Sequence, residues 1–178
     1  MKTLLLTSII LLSNIIFSQK LFVKNADLVV EAETSAEQAS VLINSKKLDI
    51  IYIDNQPETL SKGDLQIGSL ETEHIHLQDL INKYGNEHIG IELSLLTNQF
   101  QNQSNLESSF NSVINVNINN VTKEIPVTVI ISNSKTPQSN LYLISVQGTL
   151  SLDDFDIEIN FLKNIIDFSY RQNIQVKS

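Results

Sequence analysis

The sequence predicts an all-β domain built on an antiparallel sheet, and three observations lead to that fold class. First, apolar and polar residues alternate along several segments, most clearly between Ser112 and Ile157. Second, the chain is rich in β-branched and polar residues and contains only 5 glycines, a composition that favours strands. Third, only one segment after the N-terminus has helical spacing. Strands of this kind form a sandwich or a closed barrel, and the alternation alone does not choose between them.

Residues 1–18 are predicted to be a secretory signal peptide. Lys2 supplies the positive start, Leu4–Ile16 forms an apolar core, and Ser18 is a small residue suited to the position before cleavage. A retained membrane anchor is the alternative, but this apolar run is shorter than the roughly 20 residues that span a bilayer. We therefore expect one mature domain over residues 19–178, located in the periplasm or secreted.

The charge and the cysteine content restrict the partners and the source of stability. The net charge is −8 at pH 7, and the signal peptide contains a lysine but no acidic residue, so the mature chain would be more acidic still. An acidic exported chain is a poor candidate for binding nucleic acid or an anionic membrane surface. The chain has no cysteine, so stability must come from burial rather than from disulfide bonds.

In the first half of the mature chain, short alternating segments predict four strands. The first three are Ala26–Glu33, Val41–Ile43 and Leu48–Ile53, separated by polar residues that suit turns. The stretch Gln56–Gly63 contains proline and glycine and is predicted to be a loop. Leu65–Leu70 follows as the fourth predicted strand.

One segment changes from a period of two to a helical period. In Leu77–Tyr84 the apolar residues fall at i, i+3, i+4 and i+7, which predicts one face of a short helix that stops before Gly85. The period of two returns in Ile89–Leu96, which predicts another strand. Asn98–Ser109 is polar and is predicted to be a mobile loop.

The C-terminal half has the most regular alternation. Asn119–Asn120 can adopt the positive φ that a tight turn needs, so it is predicted to join two strands in a hairpin. Pro126 cannot donate a ladder hydrogen bond, so that end of its strand is expected at an edge or a bulge. A turn is predicted at Asn133–Asn140, and Asp156–Phe161 and Ile166–Val176 are predicted to be closing strands.

Two strings in this half, NVNINNVTKEIPVTVII and VQGTLSLDDFDI, resemble the hallmark region of the YceI-like family of polyisoprenoid-binding or lipid-binding proteins. Val121–Lys123 and Asp154–Ile157 stand at the family's Val-Thr-Lys and Asp-Phe-Gly-Ile positions, and His76–Tyr84 is similar to its short helical segment. The chain departs from the family at Asn120 and Asp156, where glycine is common, and it lacks the proline that commonly follows the helical segment. The resemblance therefore identifies it as a divergent member.

The resemblance implies an eight-stranded, lipocalin-like antiparallel barrel whose apolar lumen holds an isoprenoid or a fatty-acyl chain. The partner it implies is a hydrophobic or amphiphilic small molecule, with no cofactor and no membrane span in the mature chain; a homodimer is left open. The candidates for the lumen wall are the inward-facing residues Ile114, Val116, Ile118, Ile125, Val127, Val129, Tyr142, Ile144 and Val146. The alternative is that this face closes a packed core in a structural or interaction protein.

Two polar clusters are weaker candidates for chemistry. His74 and His76 would share one face of a strand, with Glu71, Glu73 and His88 as possible neighbours. That spacing can hold zinc but lacks a defined third ligand. The three carboxylates of Asp153–Asp156 are predicted to form a turn or a solvated edge, because adjacent strand residues face opposite sides. No nucleophile arrangement, phosphate loop or zinc-protease motif occurs in the sequence. We therefore assign no catalytic residue and no metal ligand, and we predict that the chain is not an enzyme.

Overall fold

In the computed structural model, the described residues form nine antiparallel strands in one curled sheet. These described residues are 20–35, 40–45, 47–55, 58–96, 107–133 and 141–177. The predicted signal peptide lies outside them. In chain order the elements are β1 (Lys20–Thr34), β2 (Ser40–Ser45), β3 (Asp49–Asn55), β4 (Glu58–Gln66), α1 (Ile75–Lys83), β5 (His88–Leu96), β6 (Glu107–Ile118), β7 (Val121–Asn133), β8 (Leu141–Ser151) and β9 (Leu162–Lys177).

The sheet curls so that its two edge strands approach other parts of the fold. Its order is β2-β1-β9-β8-β7-β6-β5-β4-β3, so β2 and β3 are edges although they are consecutive in the chain. The curl brings β3 beside β1. The backbone groups of Asn44 in β2 and Glu71 exchange hydrogen bonds of 2.9 and 2.8 Å, which ties the other edge to the segment before α1. A single sheet that curls in this way is barrel-like and is not a sandwich.

The core lies on the inner face of the sheet because alternate residues of each strand point to the same side. In the register between β6 and β7, for example, Ile114 lies opposite Ile125. In the register between β7 and β8, Val129 lies opposite Val146. The main core includes Leu65, Leu93, Leu95, Ile114, Val129, Ile131, Ile144, Val146 and Ile174, all without exposed surface.

Helix α1 covers one end of this body. Its buried residues are Leu77 and Ile81, one helical turn apart on the same side of the helix. Leu77 packs in a second apolar cluster with Ala32 of β1 and Val41 of β2. The amphipathic spacing that predicts the helix is therefore used to close the end of the barrel.

Two features of the β6–β7–β8 region agree with the sequence. Asn119 and Asn120 have φ angles of 51° and 64° and form the predicted tight turn. β8 pairs with β7 only from Val127 onwards, so Pro126 lies just outside that ladder. The missing N–H of the proline therefore removes no hydrogen bond to β8.

The strand count and the first half of the chain require a correction. The predicted loop Gln56–Gly63 is wrong from residue 58 onwards, because Glu58–Gln66 is β4, and the described strands are nine rather than eight. The predicted strand Leu65–Leu70 ends at Gln66 and continues as a 3₁₀ turn, Ile67–Ser69. The inward positions of β4 begin with buried Thr59 and Ser61. Small polar residues on the inner face hide the alternation that would have predicted this strand.

The C-terminal boundaries also differ from the prediction. Asp156–Phe161 is not a strand: a 3₁₀ turn, Leu152–Phe155, ends at Asp156 in the left-handed conformation, and β9 starts only at Leu162. The predicted loop Asn98–Ser109 lies outside the described residues up to 106, and its last three residues belong to β6. The predicted helix is confirmed, with bounds shifted by one or two residues to Ile75–Lys83.

Candidate functional site: an apolar cavity under the helix

A cavity of about 450 Å³ lies between α1 and the inner face of the sheet. A volume of this size is typical of sites for small molecules, which run from about 300 to 1,000 Å³. Its wall comes from the sheet, the helix, the segments on either side of the helix, and the segment between β8 and β9. The apolar residues that line it include Leu28, Val30, Ile43, Leu77, Leu80, Ile81, Ile89, Ile91, Ile114, Val116, Ile118, Ile157, Ile159 and Phe168.

A close backbone approach holds α1 over the cavity. The chain leaves α1 through Tyr84 and Gly85, and the N–H of Gly68 donates to the carbonyl oxygen of Gly85 at 3.0 Å. A Cβ atom on Gly68 would lie 2.7 Å from that oxygen, closer than real contacts allow. The helix therefore ends against the 3₁₀ turn after β4, and the absence of a side chain at Gly68 makes this contact possible.

The polar residues that line the cavity lie where it meets solvent. They are Glu87, Asn119, Asp156 and Glu158. The last three are exposed, which places the mouth between the β6–β7 turn and the segment after the 3₁₀ turn of residues 152–155. No lysine, arginine or histidine in the described part of the chain lines the cavity. The mouth is therefore acidic.

Two lysines lie near this mouth without lining it. The ammonium group of Lys83 lies 4.9 Å from the centroid of the Tyr84 ring, and Tyr84 is a lining residue. Lys123 lies opposite Val116, another lining residue, in the β6–β7 register. Each is therefore adjacent to a residue of the cavity wall.

Beyond the inner end of the cavity, a polar contact joins the edge strand β3 to β9. It crosses the seam, which is the gap where β3 faces the other side of the curled sheet. The hydroxyl of Tyr52 donates to Oε1 of Gln172 at 2.7 Å. Gln172 has 0% exposed surface, and its Nε2 has no hydrogen-bond partner among the described residues. Burial raises the pKa of Tyr52 well above its usual range; the nearby Tyr170 adds to this, and a hydrogen bond with Ser61 opposes it. Burial also raises the pKa of Tyr170.

The nine predicted lumen residues divide into three groups. Ile114, Val116 and Ile118 line the cavity. Tyr142 instead lines a hollow of about 490 Å³ on another part of the surface, beside Lys24 and Leu141. The other five are buried on the same inner face, outside the set of cavity-lining residues: Ile125, Val127, Val129, Ile144 and Val146. Contact between any of the nine and a ligand remains a prediction.

Most of the cavity wall lies outside the nine predicted lumen residues. The other lining residues come largely from β1, from α1 and from the segment after β8, and they include Leu28, Leu80 and Ile157. One signal was available. The apolar face of α1 needs a partner surface, and a helix that follows several strands commonly packs over an end or a face of their sheet.

The histidines do not converge on one site. His74 directly precedes α1 and His76 lies in its first turn, and their rings lie 5.1 and 5.7 Å from the ring of Phe161. His88 instead pairs with Asp64, with 2.8 Å between Nδ1 and Oδ2. Among the described residues, no three His, Cys, Asp or Glu side chains are grouped as metal ligands.

The acidic run after β8 has a structural role. The side-chain amide of Asn164 donates to Asp153 Oδ2 at 2.7 Å and to Ser151 Oγ at 2.9 Å. The backbone N–H of Asp153 donates back to Asn164 Oδ1 at 2.9 Å. These contacts tie the 3₁₀ turn to the start of β9. Asp153 and Asp154 are exposed, as predicted for a turn at a solvated edge.

A second hollow, of about 610 Å³, lies on the outer face of β3, β4, β5 and β6. Gly90 lines it, and a Cβ atom on Gly90 would meet the Cβ atom of Asn117 there at 3.5 Å. Lys62 and Glu92 form an ion pair across it at 2.6 Å, with both side chains about two-fifths exposed. Such exposed pairs contribute little free energy.

The fold matches solved structures that are very different in sequence. A polyisoprenoid-binding domain from Saccharophagus degradans, implicated in plant cell wall breakdown, superposes with a TM-score of 0.62 and 9% identity, covering 90% of this chain and 99% of that chain. BcnA from Burkholderia cenocepacia superposes with a TM-score of 0.57 and 8% identity, covering 85% of this chain and 96% of that chain. At such identities the likeness shows the fold alone.

Sequence comparison gives no further assignment. No family model matches the chain, and no curated protein matches it. No helix in the described ranges is long and apolar enough to cross a membrane. The structural likeness agrees with the all-β, lipocalin-like architecture that the YceI-like resemblance implied.

Proposed function

We propose that this chain is a divergent YceI-like protein that binds an amphiphile, with the apolar tail in the cavity under α1 and the polar head at the acidic mouth. The cavity itself carries the proposal: it is large enough for a small molecule and is lined almost entirely by aliphatic and aromatic side chains. The description of the Saccharophagus degradans domain as polyisoprenoid-binding supports an apolar ligand class for this fold.

A ligand can bind tightly at such a site without precisely placed polar contacts. Each buried methylene group contributes about 0.8 kcal/mol, so ten of them contribute on the order of 8 kcal/mol before the ordering of the tail is subtracted. Sequestration of a tail is a non-catalytic activity. The proposal therefore includes no enzymatic step and no cofactor.

The proposed place of action is outside the cytoplasm. The support is the sequence of residues 1–18, which has the charged start, apolar core and small cleavage residue of a signal peptide. Cleavage would leave an acidic chain without cysteine, which can fold in an oxidising compartment without forming disulfide bonds.

The absence of tryptophan from the sequence provides a direct test of binding. Tyr84→Trp would place a single fluorophore in the cavity wall at a position that is 40% exposed. The variant chain would begin at Gln19 and be delipidated. Its titration with dodecanol should give a saturable blue shift of the tryptophan emission. Phe22→Trp, also 40% exposed but in the first strand and outside the cavity wall, is the matched control and should show no saturable shift.

The opposite result would favour the alternative, in which the chain is a structural or interaction protein. If Tyr84→Trp gives no saturable signal with alkyl alcohols, alkyl amines or prenols, while its circular dichroism and thermal transition match those of the parent chain, then the cavity is not a lipid site.

A further inference from the structure

The cavity occupies only one half of the barrel interior. On the sheet side its deepest lining residues are Leu28 of β1, Ile114 of β6 and Phe168 of β9. The next inward positions along these strands, Ala26, Ser112 and Tyr170, do not line it. The cavity therefore ends between Phe168 and Tyr170 and does not run through the barrel.

The interior beyond this level is filled by side chains. Tyr170 is 2% exposed, and Gln172, Leu93 and Ile144 are 0% exposed. None of these four side chains lines the cavity, and protein interiors are packed with few voids larger than a water molecule. An alkyl chain is wider than a water molecule, so a tail cannot pass this layer without moving it.

The packed layer also contains a hydrogen bond that a tail would break. Tyr52 and Gln172 are joined across the seam at 2.7 Å. Displacing either side chain would leave a buried polar group without a partner and set it against hydrocarbon, which is unfavourable. Tyr170 lies on β9 between this pair and the cavity, so it is the first side chain that an advancing tail would meet.

We propose that Tyr170, backed by the Tyr52–Gln172 pair, limits the length of the tail that this protein binds. A cavity of about 150 Å³ holds one benzene molecule, so about 450 Å³ holds on the order of 18 carbon atoms. The ligand class is therefore a single-chain amphiphile with a tail of about 15 to 20 carbons, such as a fatty-acyl chain or a short isoprenoid, rather than a long polyprenyl chain. This inference rests on the proposed function, because it concerns the same cavity.

A chain-length series tests the limit. Straight-chain alcohols from octanol to eicosanol, together with farnesol, geranylgeraniol and a long polyprenol, would be titrated into the Tyr84→Trp protein. The Kd should fall about fourfold for each added methylene, the equivalent of about 0.8 kcal/mol. Beyond about 18 carbons it should stop falling, and the long polyprenol should bind no more tightly than geranylgeraniol.

Substitution of Tyr170 tests which residue sets the limit. Tyr170→Ala, in the Tyr84→Trp background, should increase the chain length at which the Kd stops falling, because removing the ring extends the cavity inward. Tyr170→Phe keeps the ring and should leave that chain length unchanged. Thermal unfolding of each variant would show that the fold is retained, and if Tyr170→Ala does not fold, the series on the parent protein still tests the limit.

Each outcome separates the two proposals. Absence of binding by every alcohol and prenol would overturn the proposed function. Binding that keeps strengthening up to the long polyprenol would leave the function in place and overturn the limit. If the chain length at which the Kd stops falling is the same in a folded Tyr170→Ala protein, the proposed role of Tyr170 is overturned.

Discussion

At the scale of single residues, the barrel interior contains an unusual polar group. Gln172 is fully buried and accepts a hydrogen bond from Tyr52, but its Nε2 donor has no partner among the described residues. An unpaired buried donor costs about 1–3 kcal/mol. A leucine or methionine at position 172 would fill the core without that cost. Core packing alone therefore does not explain the glutamine at this position.

The two tyrosines of this layer, buried Tyr170 and partly buried Tyr52, predict how stability depends on pH. Burial raises the pKa of both Tyr52 and Tyr170 in the folded state above the value of about 10 expected in the unfolded chain. Above pH 10 the unfolded chain loses these protons while the folded chain keeps them, so the free energy of unfolding should fall as the pH rises. The slope should be up to about 1.4 kcal/mol per pH unit for each tyrosine.

Urea denaturation between pH 8 and pH 11.5 measures that slope. Tyr170→Phe removes one of the two groups and should make the slope shallower by about 1.4 kcal/mol per pH unit. Tyr84→Phe changes a tyrosine that is 40% exposed and should leave the slope unchanged. Equal slopes in all three proteins would show that the buried hydroxyls do not determine the alkaline limit.

The charges at the cavity mouth predict a preference among head groups. Three carboxylates, of Glu87, Asp156 and Glu158, line the mouth, and each should repel an anionic head group and attract a cationic one. Among dodecyl compounds we expect dodecylamine and dodecanol to bind more tightly than dodecyl phosphate. Glu158→Gln should improve binding of the phosphate about 1.4- to fivefold, corresponding to the roughly 0.2–1 kcal/mol of an exposed charge pair.

Two further variants control this comparison. Glu124→Gln makes the same change in charge on an exposed residue of β7 that does not line the cavity and should not alter the order of binding. If dodecyl phosphate is instead preferred, and Lys123→Gln abolishes that preference, the head group is anionic and is held by the lysine.

At the scale of elements, α1 depends on the 3₁₀ turn after β4. Gly68 and Gly85 meet backbone to backbone at the end of the helix, so the position of the helix over the cavity is determined by a contact that has no room for a side chain. The apolar face of α1 then supplies one wall of the cavity through Leu80 and Ile81. Stability and ligand affinity are therefore coupled through this contact.

Gly68→Ala tests that coupling. A Cβ atom there would lie 2.7 Å from the carbonyl oxygen of Gly85, so we expect a loss of about 1–3 kcal/mol in the free energy of unfolding. The displaced helix should also weaken alcohol binding. Gly90→Ala is the matched control: its added Cβ atom would meet the Cβ atom of Asn117 at 3.5 Å, an ordinary contact. A folded Gly68→Ala protein with parental stability and affinity would contradict this account of the helix.

At the scale of the whole molecule, the first and last described strands are joined in the sheet. β9 lies between β1 and β8, and Leu21 is paired with Val176. Contacts between residues so distant in sequence require a large loss of chain entropy before they form, so folding should be slow, on the scale of milliseconds to seconds.

Truncation before β9 is therefore predicted to abolish the fold. A chain ending at Phe161 would lose the partner of both β1 and β8 and would leave two long strand edges unpaired. It should show no cooperative thermal transition in circular dichroism, whereas a chain ending at Lys177 should unfold like the full-length protein. A cooperative transition at the parental midpoint in the shorter chain would show that β1 and β8 fold without β9.

The predictable part of this protein is what local chemistry decides. Alternation identified the inner face of β6, β7 and β8, including Ile114 and Val129, because neighbouring residues of a strand must face opposite sides. The turn at Asn119–Asn120 followed from the tolerance of asparagine for positive φ. The helix followed from its own spacing. β4 was missed because its inward Thr59 and Ser61 lack the apolar signature on which the inference depended.

Sequence alone established an all-β chain with one helix and a continuous apolar inner face. Only the tertiary structure decided which part of that face encloses space. Ile114 and Ile144 are both buried and both point inward, yet one lines the cavity and the other is sealed behind Tyr170. The alternation of apolar and polar residues indicates which face of the sheet a residue is on. Whether a void lies there depends on how far α1 stands off the sheet and on which distant side chains, such as Tyr52 and Gln172, meet across the seam.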